Sequence, residues 1–310
     1  MSTQQAYIED LKHQLKNGDM TIRLIFINTI VFLFIGILNV IGNLTLGSTQ
    51  AFITNFNETI FSLNTEPSKF ILAPWGLITS MFSHFSFFHF LMNMLMLFFS
   101  GKMFEQLFSR KRLLNTYLLG GIVGSIFEII ARSIFPVFQN VNVGVVGASG
   151  SIMAIFIALA LYKPNLQVML FGVIPVKLIV LAAVFFGIDL FALAKNDGTA
   201  HFVHIGGALL GAISIKNINS PSNLIALFQK LTDRVFSFFT KFGKNNKPVF
   251  TVKTGGSARG NVKTDEEFNY ESKQRQVQVD VILDKIAKSG YESLSKAEKQ
   301  FLFDQSKNVR

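Results

Sequence analysis

The chain has 310 residues, half of them hydrophobic and only 15% charged, with 34 phenylalanines, no cysteine and a net charge of +10. A mean hydropathy of +0.41 over that length marks a polytopic membrane protein, and the absence of cysteine excludes disulfides, thiolate catalysis and cysteine-ligated metals. Basic residues in such a chain mark cytoplasmic loops, so nucleic acid is not an expected partner.

Met1 to Met20 is polar and lacks the small-residue cleavage pattern of a signal peptide, so residues 1–20 read as a cytoplasmic segment ahead of a retained anchor. Six apolar runs follow as candidate spans: Ile22–Ile41, Phe85–Ser100, Leu113–Phe135, Val143–Leu161, Lys177–Leu193 and Thr199–Ile218. The connection Gly101–Arg112 carries Lys102, Arg110, Lys111 and Arg112, whereas the long connection Gly42–His84 holds only Lys69. With the N-terminus inside, the inner side collects nine basic residues before the tail and the outer side three, which places both termini in the cytoplasm. Asn165–Val176 is apolar but broken by Pro175, and reads as a re-entrant or interfacial hairpin.

Beyond Ile218 the composition turns polar. In 219–243, Leu224, Leu227, Phe228, Leu231, Val235, Phe238 and Phe239 recur at helical spacing beside Lys230, Arg234 and Lys241, the pattern of a basic amphipathic helix on the inner leaflet. Residues 244–264 have linker composition. In 265–310, Asp280–Lys288 reads as a short helix ended by Gly290, and Ser295 to Glu298 as a capping box opening a second. This unit is either a docking or regulatory piece for a cytoplasmic partner or a solvated tail with marginal helices.

In a six-span layout the second, fourth and sixth helices run in the same direction, so their N-terminal thirds share one depth. Ser149 lies about six residues into the fourth span, or about 9 Å, and His204 about five residues into the sixth. His89 and Asn93, spaced i, i+4, share a face of the second. These four residues meet in one layer. That layer suits acyl transfer, with Ser149 as nucleophile, His204 as general base, and the His89 and Asn93 side chains with the Ser149 N–H as oxyanion donors. Gly207 with Gly211, and Gly150 with Ala154, form small-residue faces that let the fourth and sixth spans approach closely, and Gly147 keeps the approach to the nucleophile open. No carboxylate stands at the matching place, because Asp189 and Asp197 belong to the fifth span and the following loop. The expectation is a dyad without metal or cofactor.

Three motifs together, Gly147-Ala148-Ser149-Gly150, the His204 to Gly211 run and the His84 to Asn93 run, resemble the rhomboid intramembrane serine proteases. The resemblance covers about Thr21 to Lys216 (domain 21–218). It implies an all-α, six-helix membrane bundle whose Ser-His dyad opens to an extracytoplasmic water-filled cavity and cleaves membrane protein substrates in or near their transmembrane segments. It also implies oxyanion roles for His89 and Asn93, a supporting role for His84, and gating by the Gly42–His84 loop and the fifth span. The stretch Asp265 to Ser306 resembles a small domain of Bacteroidetes-type rhomboids, which implies a bacterial inner membrane.

Two departures stand out. Trp75 is followed by Gly76 where the family often has arginine, and Met153 replaces an aromatic residue four positions after the serine. Alternatives remain open: His201 as the base in place of His204, histidines 84, 89, 201 and 204 as metal ligands, a catalytically silent rhomboid relative acting as membrane chaperone or binding protein, and a transporter. A metal site would be expected to recruit acidic ligands, and the sequence places none at this depth. Glu128 and Arg132, i, i+4 in the third span, are expected to neutralise each other, and Glu105 to brace the basic loop.

Overall fold

In the computed structural model, the described residues are 18–45, 47–138, 144–170, 173–193, 200–243, 279, 281–286 and 288–307. The chain divides into two compact units, Met1–Asn245 and Asn246–Arg310.

The first apolar run carries no proline and a single charge, Arg23, and forms the 26-residue helix α1 (Met20–Thr45). Its entry is fixed by Glu105, whose carboxylate accepts from the backbone N–H groups of Met20 (2.7 Å) and Thr21 (2.9 Å) and from the Thr21 hydroxyl (2.5 Å). An acidic group at a helix start satisfies orphan donors and complements the positive end of the macrodipole. Glu105 therefore caps α1, and it also lies 4.0 Å from Arg110 of the basic loop.

The long connection is structured. It comprises α2 (Gly47–Phe61), β1 (Leu63–Asn64), α3 (Pro67–Leu72) and α4 (Gly76–Thr79). A Cβ on Gly76 would stand 2.7 Å from the Ser62 carbonyl oxygen, so α4 reaches the β1 backbone only because residue 76 has no side chain. Trp75 donates its indole N–H to the Thr59 carbonyl (3.0 Å) and Thr79 its hydroxyl to the Ile60 carbonyl (2.6 Å). These bonds hold the segment around Gly76 against the end of α2.

Helices α5 (Phe87–Leu107) and α6 (Arg110–Ile134) follow, each opened by a serine cap: Ser86 accepts from the His89 N–H (3.4 Å) and Ser109 from the Arg112 N–H (3.1 Å). Helix α6 ends two residues before Pro136, as the restriction on residues preceding proline favours. Next come β2 (Gly144–Val145), antiparallel to β1, then α7 (Ser149–Tyr162), the hairpin of β3 (Gln167–Leu170) and β4 (Ile174–Lys177), α8 (Leu178–Ala192), α9 (His201–Ser214) and α10 (Leu224–Gly243). Helices α1, α5 and α6 are long and apolar enough to cross a membrane; α7, α8 and α9 are shorter apolar helices.

Two span starts are corrected. The apolar runs put the fourth at Val143 and the sixth at Thr199, both outside the described residues; the helices begin at Ser149 and His201. Gly144 and Val145 pair as a strand and Gly147 has φ +126°, so an uncharged run that reads as one span is strand, turn and helix. The sixth apolar run also stops being helical earlier, at Ser214.

Beside an apolar core, polar side chains are buried while large apolar ones face outward. Thr21, Asn28, Ser100, Asn115, Thr116, Ser125, Glu128 and Ser151 are buried, while Leu33, Ile37, Phe88, Ile130 and Phe191 are exposed. Buried polar groups pair across helices. Asn28 donates to the Tyr117 hydroxyl (3.1 Å), which donates to the Met81 carbonyl (2.7 Å). Arg132 donates to Glu128 (2.5 Å), and the other Glu128 oxygen accepts from the Val203 N–H in the first turn of α9 (3.2 Å). Beyond neutralising Arg132, Glu128 thus ties α6 to α9.

The centre of this unit is α7, buried continuously from Gly150 to Ala160. A Cβ on Gly207 would fall 2.1 Å from the Gly150 carbonyl oxygen, one on Gly211 2.4 Å from that of Ala154, and one on Gly124 2.5 Å from that of Val203. Helices α6, α7 and α9 consequently pack backbone to backbone, at distances that any larger residue forbids. Helix α10 docks on the start of α6 through Thr232 to Asn115 (2.8 Å), with Arg112 donating to Asn223 (2.7 Å) just ahead of α10; Leu224, Leu227, Leu231, Val235 and Phe238 lie exposed at helical spacing.

In the second unit, residues 281–286 and 288–289 are helical and Gly290 (φ +76°) closes that segment by donating to the Ile286 carbonyl at 2.9 Å. Ser295 and Glu298 exchange hydrogen bonds, Ser295 N–H to the carboxylate at 2.7 Å and Glu298 N–H to the hydroxyl at 3.3 Å, opening α11 (Lys296–Lys307). The expected linker 244–264 lies outside the described residues.

Candidate active site

Four helix ends converge at one end of the first unit: the starts of α5, α7 and α9 and the end of α8. Ser149 is the first residue of α7. Two bonds set the turn preceding it: Gly147 N–H donates to the Ser80 carbonyl (2.9 Å) and Ala148 N–H to His84 Nε2 (3.4 Å). His84, wholly buried, fixes the backbone that presents the serine. Gly147 is required twice, by its φ of +126° and because a Cβ there would lie 2.8 Å from His89 Nε2.

His204 Nε2 lies 2.7 Å from Ser149 Oγ. The two residues face each other because Gly150 and Gly207, one residue after the serine and one turn after the histidine, let α7 and α9 touch. A helix N-terminus surrounds Ser149 with N–H groups lacking intrahelical acceptors, and its dipole favours negative charge. His89 and Asn93 line the same cavity of about 580 Å³ as Ser149, His204, Gly147 and Met153. Asn93 Nδ2 donates to the His89 carbonyl (2.8 Å), and the His84 and His89 rings stand edge to face with centroids 5.1 Å apart. Of the nine positions singled out from sequence, Ser149, His204, His89, Asn93 and Gly147 line the cavity, His84 lies behind it, and Gly150, Gly207 and Gly211 form the helix contacts beneath.

The expectation that no carboxylate stands at this place is corrected. Asp189 Oδ1 lies 2.8 Å from His204 Nδ1 and 2.7 Å from His201 Nδ1. Counting only the starts of even spans hid it, since a fifth helix running the opposite way brings its end, not its start, to the same depth. The available signal was an aspartate deep inside an apolar span whose other charge, Lys177, stands at its first residue. His201, the alternative base, is buried, and its Nδ1 faces Asp189 rather than the serine.

Asp189, His201 and His204 also form a group with ligand atoms within 4.8 Å of one another, so the premise that no acidic ligand sits at this depth is likewise corrected. Their contacts at 2.7 and 2.8 Å are hydrogen-bond separations, shorter than the roughly 3.3 Å between ligands placed tetrahedrally at about 2.0–2.1 Å from zinc. The observed geometry is a carboxylate shared by two imidazoles.

A mostly helical core with apolar helices long enough to cross a membrane, and with a serine and a histidine brought together at the ends of two tightly packed short helices, defines a class, and residues 72–217 match the Rhomboid domain family. The chain is 30% identical over 149 residues to a protein of Arabidopsis thaliana named RHOMBOID-like protein 12, mitochondrial, an alignment that covers 44% of this chain and 44% of the relative. The chain thus matches less than half the length of that relative. Residues 263–308 match a separate family of unknown function, DUF6576.

Proposed function

We propose that the protein is an intramembrane serine endopeptidase that hydrolyses peptide bonds in or near transmembrane segments of membrane protein substrates. The observation that carries this reading is the 2.7 Å contact between Ser149 Oγ and His204 Nε2 at the start of a buried helix, inside a cavity. The Ser149 Oγ–H proton passes to His204 Nε2 as Oγ bonds to the scissile carbonyl carbon, and the carbonyl π pair becomes an oxyanion. Donors for that oxyanion are the Ser149 N–H, the His89 ring and the Asn93 amide, each worth about 10²–10³ in rate in comparable sites. Collapse of the intermediate breaks the C–N bond, and His204 returns its proton to the leaving amine. Water, deprotonated by the same imidazole, then releases the acyl group from Ser149.

Six spans, α1 and α5 to α9, with both termini cytoplasmic, place the site toward the extracytoplasmic side. Helices α7, α8 and α9 have 14, 15 and 14 residues, about 21–23 Å at 1.5 Å per residue. This is less than a hydrocarbon core of about 30 Å, so a serine at the start of α7 lies below the outer boundary, in a cavity that water can fill. Helix α10 lies on the inner leaflet with its apolar stripe in lipid, and the membrane is a bacterial inner membrane.

The test is reconstitution with a labelled single-span substrate. Wild type cleaves, while Ser149→Ala and His204→Ala do not, and a serine-directed fluorophosphonate labels wild type but not Ser149→Ala. Equal cleavage by both variants and wild type removes Ser149 and His204 from the reaction, whereas binding of membrane segments with no cleavage by any moves the assignment to a non-proteolytic membrane chaperone or binding protein.

A further inference from the structure

The site holds one group that the proposed chemistry does not use. Asp189 sits three residues before the end of α8, a helix with no other acidic or basic residue between Leu178 and Ala192, and it is buried. A carboxylate inside an apolar span costs at least a few kcal/mol unless it is partnered, and such residues are functional by default. Asp189 Oδ1 receives two imidazoles, His201 and His204, from the same face of α9.

We propose that Asp189 is a positioning residue for the proteolytic reaction: through His204 Nδ1 it fixes the ring that accepts the Ser149 proton, making a Ser149–His204–Asp189 relay, with His201 as the second donor that holds the carboxylate in place. The inference rests on the protease reading above. An ionised carboxylate only accepts hydrogen bonds, so each facing Nδ1 carries its proton. In the neutral imidazole that tautomer leaves Nε2 of His204 without a proton, and Nε2 is the atom 2.7 Å from Ser149 Oγ. With Nδ1–H held at 2.8 Å the ring has one orientation, and the imidazolium formed when Ser149 gives up its proton faces a negative oxygen. Asp189 itself stays ionised throughout.

The second partner turns this into a discriminating experiment. If Asp189 serves only to join α8 to α9, both of its hydrogen bonds contribute, and Asp189→Asn and His201→Gln lower the melting temperature and the rate by similar factors. If it positions His204, the variants separate. Asp189→Asn, whose amide can donate to Nδ1 and stabilise the wrong tautomer, lowers kcat by about 10²–10⁴-fold with KM unchanged and slows fluorophosphonate labelling in parallel; His201→Gln stays within about tenfold of wild type. Asp189→Glu, which keeps the carboxylate, recovers part of the loss and remains a test should the amide variant fail to fold.

Wild-type labelling and kcat in folded Asp189→Asn, or equal losses in Asp189→Asn and His201→Gln, overturn the proposal and leave the protease reading intact. A wild-type protein that neither cleaves nor labels overturns both.

Discussion

Gly207→Ala tests whether backbone contact between α7 and α9 sets the Ser149–His204 distance. The added Cβ would stand 2.1 Å from the Gly150 carbonyl oxygen, where real Cβ atoms keep at least 3.0 Å and ordinary contact begins at 3.4 Å. The atom in the way is backbone, so no side chain can rotate aside. The helices must separate locally by about 1 Å, or the strain stays in place at a cost of about 1–3 kcal/mol. Gly150 follows Ser149 directly and Gly207 lies one turn beyond His204, so the 2.7 Å contact opens by a comparable amount to about 3.7 Å, outside hydrogen-bonding range. A misplacement of that size costs about 10²-fold in rate. The assay is the second-order rate of fluorophosphonate labelling in detergent or nanodisc, read beside the melting temperature, with Gly36→Ala as control because nothing lies within 4 Å of a Cβ at Gly36. The expected result is a loss of about two orders of magnitude in labelling for Gly207→Ala and none for Gly36→Ala. Wild-type labelling and melting in Gly207→Ala would refute the link between helix contact and site geometry.

Other outcomes follow from single contacts. Tyr117→Phe removes the donor to the Met81 carbonyl and the acceptor for Asn28, and lowers stability by about 1–3 kcal/mol in reversible denaturation. Glu128→Gln leaves Arg132 buried without its counter-charge and weakens the tie to the Val203 N–H; a loss of about 3–5 kcal/mol is expected, against near-neutrality for Arg132→Met paired with Glu128→Leu. In the second unit, Glu298 is held down at about 2, first by its hydrogen bond from the Lys285 ammonium and then by Ser295. A depressed carboxylate stabilises the folded form above its ordinary pKa near 4.5; that contribution fades as pH falls from about 4.5 through about 2. The Cα chemical shifts of residues 296, 297 and 299 therefore differ between wild type and Glu298→Ala at pH 7, and the difference shrinks as pH falls from about 4.5 toward about 2.

How much the sequence reveals differs from element to element. Ser149, His204, His89 and Asn93 surround one cavity, and helix direction alone is enough to group them, because parity is a property of topology that needs no knowledge of packing. Ser149 is misplaced in depth for a definite reason: hydropathy measures solvent, and Gly144 to Ala148 is as apolar as a helix while forming strand and turn. The flanking glycines at 144 and 147 carry the missing signal. Asp189 escapes a count limited to helices of one direction, and Glu105 reads as a brace for lysines and arginines when its nearest acceptor sites are filled by the α1 backbone. Gly76 looks like a loss of arginine until the Ser62 carbonyl beneath it is seen. Such contacts join residues far apart in sequence, and composition cannot report them.

Helix α8 has a further consequence. Its outward face carries Val184, Ile188 and Phe191, all exposed, on a segment about 22 Å long at 1.5 Å per residue. In a bilayer with a core of about 30 Å, neighbouring acyl chains must compress or tilt to meet it, at fractions of a kcal/mol per Å of mismatch. In the proposed orientation the lipid beside the site is therefore under elastic load, and membrane thickness becomes a variable of the reaction: longer acyl chains raise the boundary relative to Ser149, and shorter ones bring the nucleophile closer to bulk water.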